Sequence, residues 1–403
     1  MRGKQAVLGP IADFERTGSG DIHITNVDIG LLVRRLVLFD EVILRSIRFR
    51  ELPALVRAFG ESGLRALVDA GLLHFFCDQL YAITDVATNG VRSLPPFHFN
   101  VGIARMADPP DRLRKEFHGL QTISGLKNSQ RAAIEEAVWN SQVRYPSEFG
   151  DVLLKYVDSE LRSSSPALKN GMLEQLRRLN LKSDLSSYDF DLQVDETAER
   201  VFRIQAPFGR DFGLAPEEAH KIIHSGVTST ANLSQRLLEM SELSVLTGYR
   251  EDEASLLFGK LASLISQNPR TVEEQFKRVI EIADVPDFKP NQRVDVEKLL
   301  TVRESNECRA FRDWLPEASD LSDEDLRAMT HGIKNKISTL GSSTTGKIIR
   351  LAATTGIGLI PGAGLVLGPA ASAVDAFLVD HSLKRPAVVG FLSDTYPSLF
   401  RSA

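Results

Sequence analysis

Apolar positions along this chain change period several times, and each change marks a predicted element. Val7 and Leu8 form a short apolar run before the Gly9-Pro10 turn, and Ile22–Ile24 alternates, so residues 1–25 read as short strands and loops. Ile29, Leu31, Leu32, Leu36 and Leu38 recur at helical spacing around Arg34 and Arg35, which predicts a helix over Val27–Phe39 capped by Asn26. The run Val42-Ile43-Leu44 predicts a strand over Glu41–Ser46. Two short helices, Glu51–Phe59 and Glu61–Asp69, stop at Gly60 and Gly71, and Leu72–Cys77 and Gln79–Thr84 read as strands paired around Asp78.

Ser93-Leu94-Pro95-Pro96 punctuates the chain and is taken as a boundary. Beyond it helical patterns dominate. Ser129 opens a helix rich in Ala and Glu, and others read over about 148–162, 166–180, 216–225, 229–249, 252–267, 271–284 and 293–301. Between them Phe190, Leu192 and Val194 alternate with acids, and Val201–Ile204 supplies the return strand of a β-hairpin at 188–205. No internal repeat is evident, so the helices predict an irregular bundle rather than a solenoid. The expected fold is mainly α. A small α+β N-terminal unit (1–95) precedes a helical bundle (96–320) and a C-terminal part (321–403) made of a basic helix and a Gly-rich apolar helical hairpin.

The hairpin is the most distinctive pattern. Leu351–Val374 carries no charged residue, and Pro361-Gly362 interrupts its middle, so a hairpin fits better than one continuous span. Its small residues are ordered. Gly356 and Gly358 lie on the first arm, with Gly358 and Gly362 four apart. The series Gly364, Gly368, Ser372, Ala376 then places a small side chain at every fourth position, a stripe against which another backbone can pack closely. Before it, Arg327, Lys334, Lys336, Lys347 and Arg350 make a basic stretch with no intervening acid. Such cations bind anionic headgroups at about 1 kcal/mol each, and the apolar arms then partition; in pattern this resembles the insertion hairpins of bacterial pore-forming toxins. Asp375 and Asp380 on the second arm would be costly in lipid and favour a buried or oligomerisation hairpin.

Composition narrows the field. With 403 residues, 43% hydrophobic and 25% charged, the chain is globular, and a net charge of −5 does not point to nucleic acid. Phenylalanine outnumbers the other aromatics, 21 against 6 Tyr and 2 Trp, which favours core packing over base stacking. Mean hydropathy is −0.11, unlike an ordinary integral membrane protein. Two cysteines, Cys77 and Cys308, build no disulfide scaffold, and Pro10, Asp13, Glu15 and Arg16 break up any secretory signal pattern, so a cytoplasmic location, peripheral at the inner membrane, is expected. Arginine outnumbers lysine about two to one, as GC-rich bacterial genomes tend to produce.

The familiar catalytic patterns fall short. Gly341–Lys347 has the spacing of a phosphate-binding loop, but Ile348 replaces the magnesium-holding hydroxyl and no apolar strand precedes it. His220 and His224 share a helical face with Glu217, yet Lys221 stands where a metalloprotease needs glutamate and no third ligand is evident. Asp287, Asp295, Glu297 and Lys298 lack nuclease spacing, and Asp189, Asp191 and Asp195 fit a solvated strand face. Cys308 sits among Arg303, Arg309 and Arg312, which would favour a thiolate, although the same arginines can pair with Glu304, Glu307 and Asp313. His74 and Cys77 fall on opposite strand faces. No catalytic residue, metal or cofactor is assigned. The sequence reads as a non-enzymatic bacterial membrane-directed effector, toxin-like or phage-defence-like, or else as a soluble scaffold or regulatory protein. Its partners would be an anionic membrane surface and a protein partner or homo-oligomer, with no nucleic acid.

Overall fold

The structure is a computed structural model that describes residues 5–16, 22–46, 49–77, 79–86, 97–106, 115, 117–118, 126–179, 185, 188–247, 269–288, 292–327 and 386–400. Its elements run β1 (Ala6–Gly9), β2 (Ala12–Arg16), β3 (Ile22–Val27), α1 (Ile29–Leu38), β4 (Glu41–Arg45), α2 (Leu52–Asp69), β5 (Leu73–Phe76), β6 (Gln79–Val86), β7 (Phe97–Met106), α3 (Asn128–Asn140), β8 (Gln142–Val143) and α4 (Phe149–Arg162). There follow α5 (Pro166–Arg178), β9 (Gln193–Ala198), β10 (Val201–Gln205), α6 (Phe208–Phe212), α7 (Pro216–Glu242), β11 (Val245–Thr247), α8 (Pro269–Ile282), α9 (Val296–Glu304), α10 (Asn306–Trp314) and α11 (Pro386–Gly390).

Five strands form a parallel sheet in the order β11-β1-β4-β5-β8. The short apolar runs noted in the sequence are its strands, and they are apolar throughout because both faces are covered. Val7, Val42, Leu44, Leu73 and Phe75 point into one core with α1, α2, α3, α8, α9 and α10. Ala6, Leu8, Ile43, Phe76 and Val245 point into a second core with α4, α5 and α7. The chain steps β1, β4, β5, β8 in one direction and then returns across the sheet to β11. Right-handed crossovers in opposite directions put their helices on opposite faces, which accounts for α1, α2 and α3 lying in the first core and α4, α5 and α7 in the second.

A second sheet, antiparallel in the order β6-β7-β10-β9, contributes Phe97, Phe99, Val101, Phe202 and Ile204 to the second core. A β2–β3 hairpin makes a third, two-stranded sheet.

The architecture is therefore α/β, rich in helix as expected but organised on a parallel sheet rather than as an irregular bundle. β1 lies between β4 and β11, so residues on both sides of position 95 build one sheet. β5 pairs with β4 and β8, whereas β6 pairs with β7, so the two strands flanking residue 78 belong to different sheets. The helix expected from Asn26 starts at Ile29 and is capped by Asp28, whose side chain accepts from the Leu31 amide at 2.8 Å. Asn26 itself pairs with Asp13 in the β2–β3 hairpin. The segments expected as helices over 216–225 and 229–249 are one helix, α7, ending in a strand, β11. Gly60, at φ +70°, interrupts α2 where the sequence places a stop between two helices. The hairpin expected at 188–205 is present as β9 and β10. The helix expected over 252–267, the boundary at 93–96 and the phosphate-loop spacing at 341–347 lie outside the described residues.

Glycines let α5 and α7 cross closely. A Cβ at Gly171 would stand 3.2 Å from the Gly226 Cα, and one at Gly226 would stand 2.5 Å from Met172 Cγ and 3.2 Å from the Leu168 carbonyl oxygen. Met172 can swing away, but the carbonyl cannot. Gly226→Ala gains up to about 1 kcal/mol of helix propensity and loses about 1–3 kcal/mol to overpacking. The expected outcome is a lower urea midpoint with an unchanged slope. A midpoint at or above that of the parent would show that the crossing has room.

Candidate functional site

Of the hairpin and headgroup-binding residues that the sequence singles out, only Arg327 is described, exposed at the end of a short helix over 323–327. Lys334, Lys336, Lys347, Arg350, Gly356, Gly358, Pro361, Gly362, Gly364, Gly368, Ser372 and Ala376 lie outside the described residues. What the structure gives is the two flanks. Before the segment, Leu326 is fully buried in the first core. After it, Val388, Phe391, Leu392, Tyr396 and Leu399 are buried in the same core. Phe391 stacks on Phe311 with centroids 4.3 Å apart, and Tyr396 meets Phe276 edge-on at 5.5 Å. The described residues on either side of 328–385 are thus buried in the same core. Among the described residues no helix is long and apolar enough to cross a membrane.

A second constellation, missed from the sequence, occupies the edge where the parallel strands end. β4 ends at Arg45, β5 ends at Phe76, β8 runs out toward Tyr145, and the last turns of α7 bring Gln235 and Glu239. Glu239 is buried, its side chain 1% exposed, and accepts from Arg45 Nη2 at 2.7 Å. It also accepts from the Tyr145 hydroxyl and from Gln235 Nε2 at 3.1 Å. Gln235 Nε2 also reaches the Tyr145 oxygen at 3.1 Å. The Arg45 guanidinium lies over the Phe76 ring, 5.4 Å from its centroid, and Phe76 meets Tyr145 edge-on at 4.7 Å.

Burial would lower the Arg45 guanidinium, but the Glu239 carboxylate beside it outweighs this and pushes it above the usual arginine range. Burial, and then Glu239, push the Tyr145 phenol above its ordinary value. With three donors on it, the Glu239 carboxylate is committed as an acceptor. Its role is to hold Arg45 and Tyr145 in place. The signal was available in the sequence. Ile223, Val227, Ala231, Gln235 and Glu239 form one buried stripe on α7 at every fourth position, so two polar residues continue an apolar row and must find partners.

The remaining candidates resolve into packing. His220 stacks on Phe99 and His224, with centroids 5.6 and 6.1 Å away, and burial followed by the neighbouring His224 lowers its pKa. Among the described residues no group of three His, Cys, Asp or Glu side chains could hold a metal ion. Asp287 pairs with Arg34 at 2.8 Å, Asp295 caps α9, and Asp189 and Asp195 pair with Lys169 and Arg203. Arg303 is buried and donates to the carbonyls of Leu36, Phe39 and Asp40, closing the C-terminal end of α1. Burial and then the neighbouring Arg312 lower its pKa to about 10.

Cys308 is fully buried, and burial pushes its thiol up to about 11 against the opposing pull of Arg312 and Arg303. A raised acid is protonated in the folded state while the unfolded chain ionises from about pH 9, so stability present below that pH is lost as pH rises toward 11. The shift corresponds to on the order of 2–3 kcal/mol. Cys308→Val should flatten the fall in stability between pH 9 and 11 measured by urea unfolding, and maleimide should not label Cys308 in the folded protein. Rapid labelling at neutral pH would refute the buried assignment.

No protein-family model matches this chain, and neither a curated protein nor a solved structure does.

Proposed function

We propose that this protein is a membrane-directed effector of bacterial type, in which the uncharged segment Leu351–Val374 is the element that meets lipid. The observation that carries the reading is topological. The segment lies within 328–385, between two stretches that are both buried in the first core. An insertion tethered at both ends can be displaced toward a surface while its carrier stays folded. The preceding cations Arg327, Lys334, Lys336, Lys347 and Arg350 supply the attraction to an anionic headgroup surface, and the glycine and proline content suits a hairpin rather than a single span. A cytoplasmic protein that becomes peripheral at the inner membrane is the corresponding location.

One observation favours the alternative reading, a scaffold in which the hairpin is buried or joins two copies. The α5–α7 crossing shows that this chain already uses glycines to bring helices together inside a core. The stripe Gly364, Gly368, Ser372, Ala376 would serve the same purpose in a second crossing or between protomers.

The test is co-flotation of the full chain with vesicles of phosphatidylcholine and phosphatidylglycerol. The parent protein should float at low salt and progressively less as salt rises. Reversing Lys334, Lys336, Lys347 and Arg350 to glutamate removes roughly 4 kcal/mol of attraction at about 1 kcal/mol per charge and should abolish flotation. Residues 386–400 must be kept in any deletion variant, because cutting the chain before Pro386 also removes Phe391 and Tyr396 from the first core. Absence of flotation by the parent, together with a loss of dimer when Gly364 and Gly368 are changed to leucine, would replace the membrane reading with the scaffold one.

A further inference from the structure

The geometry points to the carboxyl edge of the parallel sheet as an anion site in which Arg45 grips an oxyanion, either a phosphate ester or a carboxylate. This site is separate from the membrane reading and stands without it. In α/β sheets the carboxyl ends of the strands are where ligands gather, because the loops leaving them converge on one rim. Arg45 is the last residue of β4, next to the end of β5, with β8 on the far side of β5.

The side chain is built for presentation. Its anchors are buried: Glu239 is 1% exposed, Tyr145 5% and Gln235 7%. Arg45 itself keeps 26% of its side chain open. Its Nη2 is spent on Glu239, and no nitrogen of its guanidinium is both buried and without a partner, so the donors turned away from Glu239 reach solvent. The Phe76 ring supports the guanidinium plane. A guanidinium fixed in this way loses little rotamer freedom when it binds, and its planar fork matches two oxygens of a carboxylate or phosphate.

A charge pair this buried is poor evidence for stability, since desolvation offsets most of its attraction. Glu239 is explained instead as the positioning residue that keeps Arg45 aimed at the rim.

Two measurements test the site. The full-length parent protein is treated with phenylglyoxal in sodium chloride, inorganic phosphate or succinate at equal ionic strength, and each arginine is followed by peptide mapping. Phosphate or succinate at a few times the dissociation constant should slow Arg45 modification about fivefold. Arg210, with 79% of its side chain exposed, should react at an unchanged rate. Protection by phosphate alone or succinate alone identifies which oxyanion the site takes. Equal Arg45 rates in all three solutions overturn the proposal. Arg45→Lys keeps the charge and loses the fork, so its affinity for the protecting anion should fall about tenfold or more by calorimetry. A folded lysine variant that binds as tightly as the parent overturns the assignment of the fork. Should the variant fail to fold, the labelling of the parent protein decides alone.

Discussion

Both faces of the five-stranded parallel sheet must be covered, and the rest of the described structure follows from meeting that demand. Alternate residues of β1 and β4 face opposite cores, with Val7, Val42 and Leu44 on one side and Ala6, Leu8 and Ile43 on the other. Neither layer of helices could be removed without exposing a row of apolar side chains, since parallel strands carry no polar face to turn toward water. The first three crossovers furnish the first layer. The second requires the chain to leave β8, build α4, α5 and α7, and return to β11 beside β1. That return brings Gln235 and Glu239 next to the end of β4, so the polar cluster at the rim is a by-product of covering the second face.

The first layer is completed late in the chain. Helices α8, α9 and α10 pack on α1 and α2, and residues 386–400 close over them through Phe391, Tyr396 and Leu399. Polar ties fix this closure. Arg34 holds Asp287, toward which the Tyr396 hydroxyl reaches at 3.5 Å, and Arg312 holds Asp40 at 3.2 Å. Contacts between residues up to 272 positions apart make this core non-local, and its assembly must await most of the chain. The same closure puts residues on both sides of 328–385 into one core.

Elements with enough length and period were legible in the sequence: α1, α3, α4, α5, α8 and the β9–β10 hairpin all fall close to where the pattern predicts them. The parallel sheet was not, for physical reasons. β8 has two residues and β11 has three, too few to carry any period, and parallel pairing joins strands such as β1 and β11 that share no local signal. The β5–β6 pairing was inferred because adjacent strands commonly form hairpins, and it fails because Phe75 and Phe76 must each serve a different core. The cap at Asp28 rather than Asn26 is a two-residue shift that hairpin pairing of Asn26 with Asp13 imposes. At the rim, Gln235 and Glu239 were readable as polar positions on a buried stripe, but their partner Arg45 lies 194 residues from Glu239, and only the fold brings them together.

Comparing two buried-edge arginines clarifies what Arg45 is for. Arg303 is consumed by the structure: three carbonyl oxygens at the end of α1 take its guanidinium, and its side chain is 8% exposed. It closes a helix end whose carbonyls would otherwise be unpaired, and that need explains its burial completely. Arg45 meets no such need. Among the described residues it meets no comparable set of carbonyls; one nitrogen satisfies Glu239, and 26% of its side chain stays exposed. Replacing Arg303 would expose a backbone deficit, whereas replacing Arg45 would leave Glu239 buried with two donors and one lost cation. An arginine held rigidly by an aromatic ring and a buried carboxylate, with donors remaining, is therefore a recognition group whose structural work is done by its neighbours.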